Sequence, residues 1–85
     1  MLKKTITIGL SSGLEARPVA MLVQIASQFD SQIYVENNNA RVNAKSIMAV
    51  MSLGVKKGNE VIITAEGEDE EDAIAEIQKV LEENL

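Results

Sequence analysis

The fold is decided by the stretch Glu60-Val61-Ile62-Ile63-Thr64-Ala65-Glu66, which is closed by Gly67 and followed by an acidic segment. Its β-branched residues suit the interior of a β-strand. Asp69 is placed to cap a helix whose first turn, Glu70-Glu71-Asp72, complements the positive end of the helix dipole. The spacing beyond it predicts an amphipathic helix with a core stripe of Ala73, Ile74, Ile77, Val80 and Leu81.

The N-terminal part of the chain predicts another strand and another helix. From Leu2 to Leu10, apolar residues alternate with Lys3, Thr5 and Thr7, which is the period of a half-buried strand that ends in the cluster Ser11-Ser12-Gly13. Pro18 suits the first turn of a helix, because its missing N–H has no intrahelical partner there. Apolar residues then recur at helical spacing over about three turns: Val19, Leu22, Ala26 and Phe29.

The middle of the chain predicts a hairpin and a short helix. Ile33 and Val35 alternate with polar residues, and the tract Asn37-Asn38-Asn39 tolerates left-handed backbone before the extended pattern resumes at Arg41. Ser46 then precedes the apolar run Ile47 to Leu53, and Gly54 follows it. We expect two turns of helix with a hydroxyl N-cap and a glycine C-terminal stop.

The predicted element order is therefore βαββαβα in one domain that spans residues 1–85. Strands that alternate apolar and polar residues have one covered face. We therefore expect an α+β fold, a two-layer sandwich in which a four-stranded antiparallel sheet is covered on one face by three helices.

The composition excludes several kinds of chemistry. With 46% hydrophobic and 25% charged residues, the 85-residue chain belongs with compact domains and not with disordered segments. It has no cysteine and no histidine, which removes thiolate nucleophiles, zinc-thiolate sites, catalytic triads and phosphohistidine. The acidic run from Glu66 to Asp72 lacks the spacing of a calcium loop, and helix-dipole complementarity suffices to explain it. We expect no metal and no cofactor.

Charge and hydropathy also bear on partners and location. The net charge of −5 has the wrong sign for a protein that must neutralise phosphates, and only Phe29 and Tyr34 are aromatic, so direct binding of nucleic acid is not expected. The longest strictly apolar run, Val19 to Val23, is five residues, against the roughly 20 that span a bilayer. The N-terminus lacks the apolar region of a signal peptide, so a cytoplasmic protein is expected.

The apolar run after Ser46 has two interpretations on sequence grounds alone. Only one face of a two-turn helix can be buried, although Ile47, Met48, Met51 and Leu53 are all apolar. Core packing fits any one of them, but some must be exposed. Ser46 itself needs no role beyond capping the helix.

Three segments together resemble HPr, the small phosphocarrier of the bacterial sugar phosphotransferase system, and its relatives. The segment Gly13-Leu14-Glu15-Ala16-Arg17-Pro18 resembles the active-site loop of that family, which has Gly, an aliphatic residue, His, Ala, Arg and Pro. The segment from Asn43 to Gly54 resembles its regulatory serine region, and Gly67 to Ala73 resembles the start of its last helix. The resemblance runs from end to end and implies the open-faced βαββαβα sandwich.

The departure from the family pattern is at residue 15. Glu15 stands where the phosphocarriers have their histidine, and a carboxylate is a far weaker nucleophile than neutral imidazole. A histidine-lacking branch of the family, Crh (catabolite repression HPr-like protein), typically has Gln there, and this sequence resembles that branch. Glu15 departs from Gln as well. The sequence therefore leaves three origins open: a Crh, another histidine-less HPr paralogue, or an engineered change at residue 15.

The resemblance implies a regulatory protein that is not an enzyme. Ser46 would be phosphorylated from ATP by HPr kinase/phosphorylase, and the protein would then act as corepressor with a LacI-type catabolite control repressor in carbon catabolite repression. Ile47, Met48 and Met51 would lie at the docking surface that Enzyme I, the kinase and the repressor use, with Arg17 at the partner interface. From the residues alone, Arg17 fits an exposed position or a local ion pair with Glu15 equally well.

Two alternatives remain for Glu15. In the first, the chain is a phosphocarrier of the phosphoenolpyruvate-dependent sugar phosphotransferase system, with an acyl phosphate at Glu15. In the second, the carboxylate of Glu15 permanently imitates a charged loop. For the assembly we expect a monomer or a weak homodimer. The N-terminal strand is one that protomers can exchange, but nothing in the sequence requires the exchange.

Overall fold

The computed structural model describes residues 1–9 and 16–82. Its elements are β1 (Leu2–Thr7), α1 (Ala16–Ala26), β2 (Gln32–Asn37), β3 (Ala40–Asn43), α2 (Ile47–Met51), β4 (Glu60–Glu66) and α3 (Glu70–Glu82). The predicted order βαββαβα is confirmed.

The four strands form one antiparallel sheet in the order β1-β4-β2-β3. The register pairs Ile6 with Val61 and Val35 with Ile63, so the apolar residues of three neighbouring strands share one face. On that face α3 packs against β1 and β4, α1 packs against α3, and α2 packs against α1 and β3. This is the predicted α+β sandwich, with helices on one face of the sheet and the other face open.

The core lies between the sheet and the helices. The fully buried side chains of the helices are Val19, Leu22, Ala26, Val50, Ala73, Ile77 and Leu81. Val80, which the spacing placed in the core stripe of α3, is only half-buried and lies at the edge of that stripe. Thr64 is buried although it lies on the open face, because Lys3 of β1 and Tyr34 of β2 flank it on either side in the central strand.

The hairpin between β2 and β3 turns through Asn38 and Asn39. Both have left-handed backbone, with φ of 50° and 70°. Two successive residues of this kind form the tight turn whose twist matches that of paired strands. The predicted role of the asparagine tract is confirmed.

Strand β1 ends earlier than its alternation indicated. It stops at Thr7, although Ile8 is still buried, and Leu10 and the cluster 11–13 lie outside the described residues. Ile8 leaves the ladder because its N–H donates to the carbonyl of Asn59 and its carbonyl accepts from Gly58 N–H. The alternation of buried and exposed side chains therefore continues beyond the end of the strand, because Ile8 is buried like Ile6 while its backbone bonds to the turn at Gly58 and Asn59.

Gly9 brings the end of this segment against helix α3. Its N–H donates to the carbonyl of Leu81 at 2.7 Å. A β-carbon at residue 9 would collide with the backbone carbonyl of Glu82, so only glycine permits this approach.

Helices α1 and α2 also differ from the predicted bounds. Helix α1 spans Ala16–Ala26, which places Pro18 in its first turn as predicted, but Phe29 packs against the core from the loop that follows and not from the helix. Helix α2 has five residues instead of two full turns. The helix ends at Met51 with Ser52 as its C-cap, before the predicted stop at Gly54, whose φ of +62° is a left-handed conformation that favours glycine.

Asp69 occupies the N-cap position of α3 but uses its side chain elsewhere. The Asp69 carbonyl accepts the first helical bond from Ala73 N–H. Its carboxylate instead accepts from the N–H groups of Asp30 (2.8 Å) and Ser31 (3.0 Å) and from the Ser31 hydroxyl. The predicted side-chain cap is therefore wrong, and the carboxylate joins the α1–β2 loop to the start of α3.

Candidate functional site

The candidate site is centred on Ser46, the residue before α2. Ser46 has extended backbone, with φ −114° and ψ 114°, and its Oγ accepts a hydrogen bond from Ala49 N–H at 3.3 Å. Its carbonyl accepts from Val50 N–H, which starts the helix. The predicted hydroxyl N-cap is confirmed, and the Ser46 side chain is half-buried, not enclosed.

The segment before Ser46 is fixed to the rest of the fold. The side chain of Asn43 accepts from Lys45 N–H at 2.8 Å, and the Asn43 carbonyl accepts from Ser46 N–H. Lys45 Nζ donates to the carbonyl of Phe29 at 2.8 Å, which ties the segment to the α1–β2 loop. These bonds fix the backbone that carries Ser46.

Helix α2 has one buried side and one exposed side. Val50 is fully buried and anchors the helix, whereas Ile47, Met48 and Met51 are 46%, 84% and 43% exposed. At 100° per residue, these three positions fall within an arc of about 100°, whose centre lies roughly 110° around the helix from Val50. We call them the α2 apolar surface. Leu53, the fourth apolar residue of the run, packs against the core.

The other predicted site residues lie outside α2. Arg17 is exposed in the first turn of α1, which packs against α2. Glu15 lies outside the described residues, and so does the ion pair with Arg17, which was one of two alternatives for that arginine.

The sequence analysis did not single out Met21, which is 40% exposed on α1. Its spacing of four residues from Arg17 was the available signal, because residues i and i+4 share a helix face. The structure thus brings Ser46 and the α2 apolar surface together, and places Arg17 and Met21 on the adjoining helix.

The acidic segment is a second polar cluster, and tertiary hydrogen bonds account for part of it. The Glu70 carboxylate accepts from Gly67 N–H and pairs with the N-terminal ammonium of Met1 at 3.3 Å. The bond from the Ser31 hydroxyl, with those from Asp30 and Ser31 N–H, lowers the pKa of Asp69. The bond from Gly67 N–H, together with the N-terminal ammonium, lowers the pKa of Glu70.

Within residues 1–9 and 16–82, no three carboxylates converge in the way that a metal site requires. In the same part of the chain, no helix has both the length and the apolar character needed to cross a bilayer.

The fold and this site define a class of small α+β protein that has a modifiable surface. The chain is a small open-faced α+β sandwich, and its candidate groups are a capping hydroxyl and apolar side chains on the outer surface of the helical layer. The family model described as the PTS HPr component phosphorylation site matches residues 2–83. The chain belongs to the HPr family, whose members are phosphocarriers or regulatory proteins.

Similar proteins include both kinds of member. HPr-like protein Crh of Bacillus subtilis (strain 168) is 41% identical over 85 residues, which is the full length of both chains. A crystal structure of Crh, a dimer with a swapped domain, has a TM-score of 0.79 and covers 100% of this chain and 98% of its own.

Phosphocarrier protein HPr from Bacillus anthracis str. Ames has a TM-score of 0.92 at 40% identity over 94% of this chain and 95% of its own. HPr-C-His from Thermoanaerobacter tengcongensis has a TM-score of 0.89 at 53% identity over the full length of both chains.

Proposed function

We propose that this protein is a Crh-type regulator, phosphorylated at Ser46 by HPr kinase/phosphorylase. In that form it acts as corepressor with a LacI-type catabolite control repressor in carbon catabolite repression. One observation carries the proposal: the Ser46 hydroxyl caps α2 directly beside the exposed α2 apolar surface, in a chain that has no histidine to carry phosphate. The full-length similarity to Crh supports the same assignment.

A phosphate on Ser46 suits its surroundings. It adds a charge of about −2 at pH 7 and strong acceptor oxygens, and the first N–H groups of a helix are donors without intrahelical partners. Ala49 N–H already donates to the Ser46 oxygen at 3.3 Å. Phosphorylation therefore adds charge at the start of α2 while leaving the apolar side chains beside it in place.

The partner surface then combines two kinds of contact. The α2 apolar surface supplies area that can be removed from water, and its methionines adapt to a partner's shape. The phosphoserine supplies an anchor for arginine side chains, which bind phosphate through paired hydrogen bonds. In this proposal Arg17, exposed on the adjoining helix α1, supplies a cation to the same partner. A partner that must contact both the phosphoserine and the α2 apolar surface binds the phosphorylated protein in preference to proteins that carry only one of these two features.

The proposed role requires no catalysis by this chain. The kinase supplies the chemistry, and the repressor makes the contact with DNA, since a chain with a net charge of −5 is poorly suited to do so. The proposed location is the cytoplasm, where the kinase has access to ATP. For the assembly we propose a monomer in equilibrium with a weak homodimer, because Crh itself forms a dimer. A single species of constant mass in sedimentation equilibrium over a wide concentration range would contradict that equilibrium.

The test is direct phosphorylation. The full chain is incubated with ATP and HPr kinase/phosphorylase, and we expect the mass to increase by one phosphate group. The gain should vanish in Ser46→Ala and persist in Ser52→Ala, whose hydroxyl lies at the other end of α2 and donates to the Ala49 carbonyl. An unchanged mass in the wild-type protein would refute the proposal.

A parallel reaction with phosphoenolpyruvate and Enzyme I tests the phosphocarrier alternative. That alternative requires an acyl phosphate at Glu15, which Glu15→Gln would abolish. The variant Glu15→His shows whether the loop still accepts phosphate when imidazole is restored. If the protein takes phosphate only in this second reaction, the phosphocarrier assignment replaces the regulatory one.

A further inference from the structure

All the methionines of this chain lie at its surface. Met1, Met21, Met48 and Met51 are 70%, 40%, 84% and 43% exposed, and these are the four methionines of the sequence. The buried core consists of aliphatic side chains without sulfur. Since the chain also lacks cysteine and tryptophan, its thioethers are its most oxidisable groups, and none of them supports the core.

We propose that Met48 is a peroxide-sensitive modification site, and that its oxidation to the sulfoxide weakens docking at the α2 apolar surface. The site itself follows from exposure and chemistry. Its regulatory consequence rests on the proposed function, because it assumes that the kinase binds this surface.

The reaction needs only a hydroperoxide as oxidant. A lone pair of the Met48 sulfur attacks one oxygen of hydrogen peroxide, the O–O bond breaks, and the second oxygen leaves as water after proton transfer. Sulfur loses two electrons and the peroxide gains them. The product is a methionine sulfoxide, which methionine sulfoxide reductases convert back to the thioether. The modification is therefore reversible.

Geometry selects Met48 among the methionines of the helices. Its exposed fraction of 84% is about twice that of Met21 or Met51, which are 40% and 43% exposed. The side chain also lies two residues from Ser46 and at one edge of the arc that α2 presents to solvent. An oxidant therefore reaches this sulfur with less hindrance than the other two.

Oxidation of Met48 changes docking and leaves the stability of the fold unchanged. A sulfoxide replaces an apolar, flexible group with a polar one that must keep its hydrogen bonds to water, which opposes burial against an apolar partner. Val50, which anchors α2 in the core, is untouched. The oxidised protein should therefore keep its melting temperature while its recognition changes.

The experiment compares oxidised and untreated protein in the kinase reaction. The full chain is treated with hydrogen peroxide, the peroxide is removed before the kinase is added, and oxidation at each methionine is followed by peptide mass mapping. We expect Met48 to gain oxygen faster than Met21 and Met51. We also expect the rate of Ser46 phosphorylation at subsaturating protein to fall by about fivefold, the effect of losing contact at roughly one buried methyl-sized group.

The variant Met48→Leu provides the matched control, with each protein compared to its own untreated sample. The treatment is stopped when peptide mapping shows oxidation of Met48 in the wild-type protein but little at Met51, and the treated and untreated rates of this variant should then agree within error. Treatment with methionine sulfoxide reductase should restore the rate of the wild-type protein. A melting temperature unchanged by oxidation separates loss of docking from unfolding.

Each other outcome overturns a distinct statement. If oxidation of Met48 is no faster than that of Met21 and Met51, or if the rate falls equally in Met48→Leu, Met48 is not the sensitive site. If Met48 is oxidised and the rate does not change, the regulatory consequence is wrong while the proposed function stands. If untreated protein is not phosphorylated at all, the proposed function fails, and the regulatory consequence fails with it.

Discussion

Ser46 has two roles that depend on one oxygen atom. As an acceptor from Ala49 N–H, the hydroxyl oxygen stabilises the first turn of α2, and as a nucleophile it is the proposed phosphate acceptor. A substitution at this residue therefore changes stability and modification together. Choosing replacements that cap a helix without accepting phosphate separates the two.

We expect Ser46→Ala to lower the free energy of unfolding by about 1 kcal/mol, because alanine cannot cap α2. Ser46→Asn should retain the stability of the wild-type protein, since asparagine is as good an N-cap as serine. Chemical denaturation measures both, and neither variant should be phosphorylated. Equal stabilities of the two variants would show that the cap contributes nothing.

Residue roles were predictable where they depend on neighbours in the chain. The Ser46 cap follows from a serine placed before an apolar run and a glycine after it. The carboxylate of Asp69 was assigned to its own helix, because its true partners, Asp30 and Ser31, are 39 and 38 residues away in sequence. Met21 was missed because its exposure depends on how α1 is rotated against its neighbours. Tertiary geometry decided both outcomes.

At the scale of elements, α2 depends on the rest of the fold. Five residues are far too few for a helix that is stable alone. It is held by the buried Val50, by the fully buried Ala44 before it, and by the bond from Lys45 to Phe29. Because so little of α2 is used for packing, the remaining apolar side chains stay exposed.

Two truncations should distinguish the buried side chain of α2, which stabilises the fold, from an exposed one, which does not. Val50→Ala should cost about 2 kcal/mol of folding free energy, because it leaves a cavity under α2. Met48→Ala should change stability by less than about 0.5 kcal/mol, as surface substitutions do. The measurement is urea denaturation of both variants. A large loss in Met48→Ala would mean that this side chain packs against the fold, contrary to its exposure.

Element types were predictable and element ends were less so. Alternation and helical spacing placed most of the strands and helices, because the sheet has one covered face, whereas β4 was placed by its β-branched run and α2 by the serine and glycine at its ends. The ends depended on contacts between distant segments. Ile8 keeps the strand phase but bonds to the Gly58–Asn59 turn, and Phe29 reaches the core from beyond the last residue of α1.

At the scale of the whole molecule, stability should depend on pH through Asp69 and Glu70. Both carboxylates have a pKa below their ordinary values, 3.8 and 4.5, because hydrogen bonds in the folded state favour the charged form. Such groups stabilise the fold above the pKa of the unfolded chain, and the stabilisation is lost as the pH falls through the folded pKa.

We therefore expect the urea midpoint to be steady down to about pH 5 and then to fall. Asp69→Asn should lower the midpoint at neutral pH and show a weaker decline on the acid side, because the titrating group has been removed. Asp72→Asn, an exposed change in the first turn of the same helix, is the control: it loses a charge that complements the helix dipole but should keep the acid decline of the wild-type protein. Identical acid declines in the wild-type protein and Asp69→Asn would contradict the role assigned to Asp69.

The position of β1 in the sheet has a consequence for the order in which the protein assembles. In the described part of the chain, β1 is an edge strand that pairs with β4 alone, and its Leu2 lies opposite Ala65. A ribosome therefore releases the first strand long before its partner exists, and the sheet closes only when most of the chain has emerged. Until then Leu2–Thr7 has no strand to form backbone hydrogen bonds with. The β4 strand of another molecule has the same sequence and can pair with it in the same register.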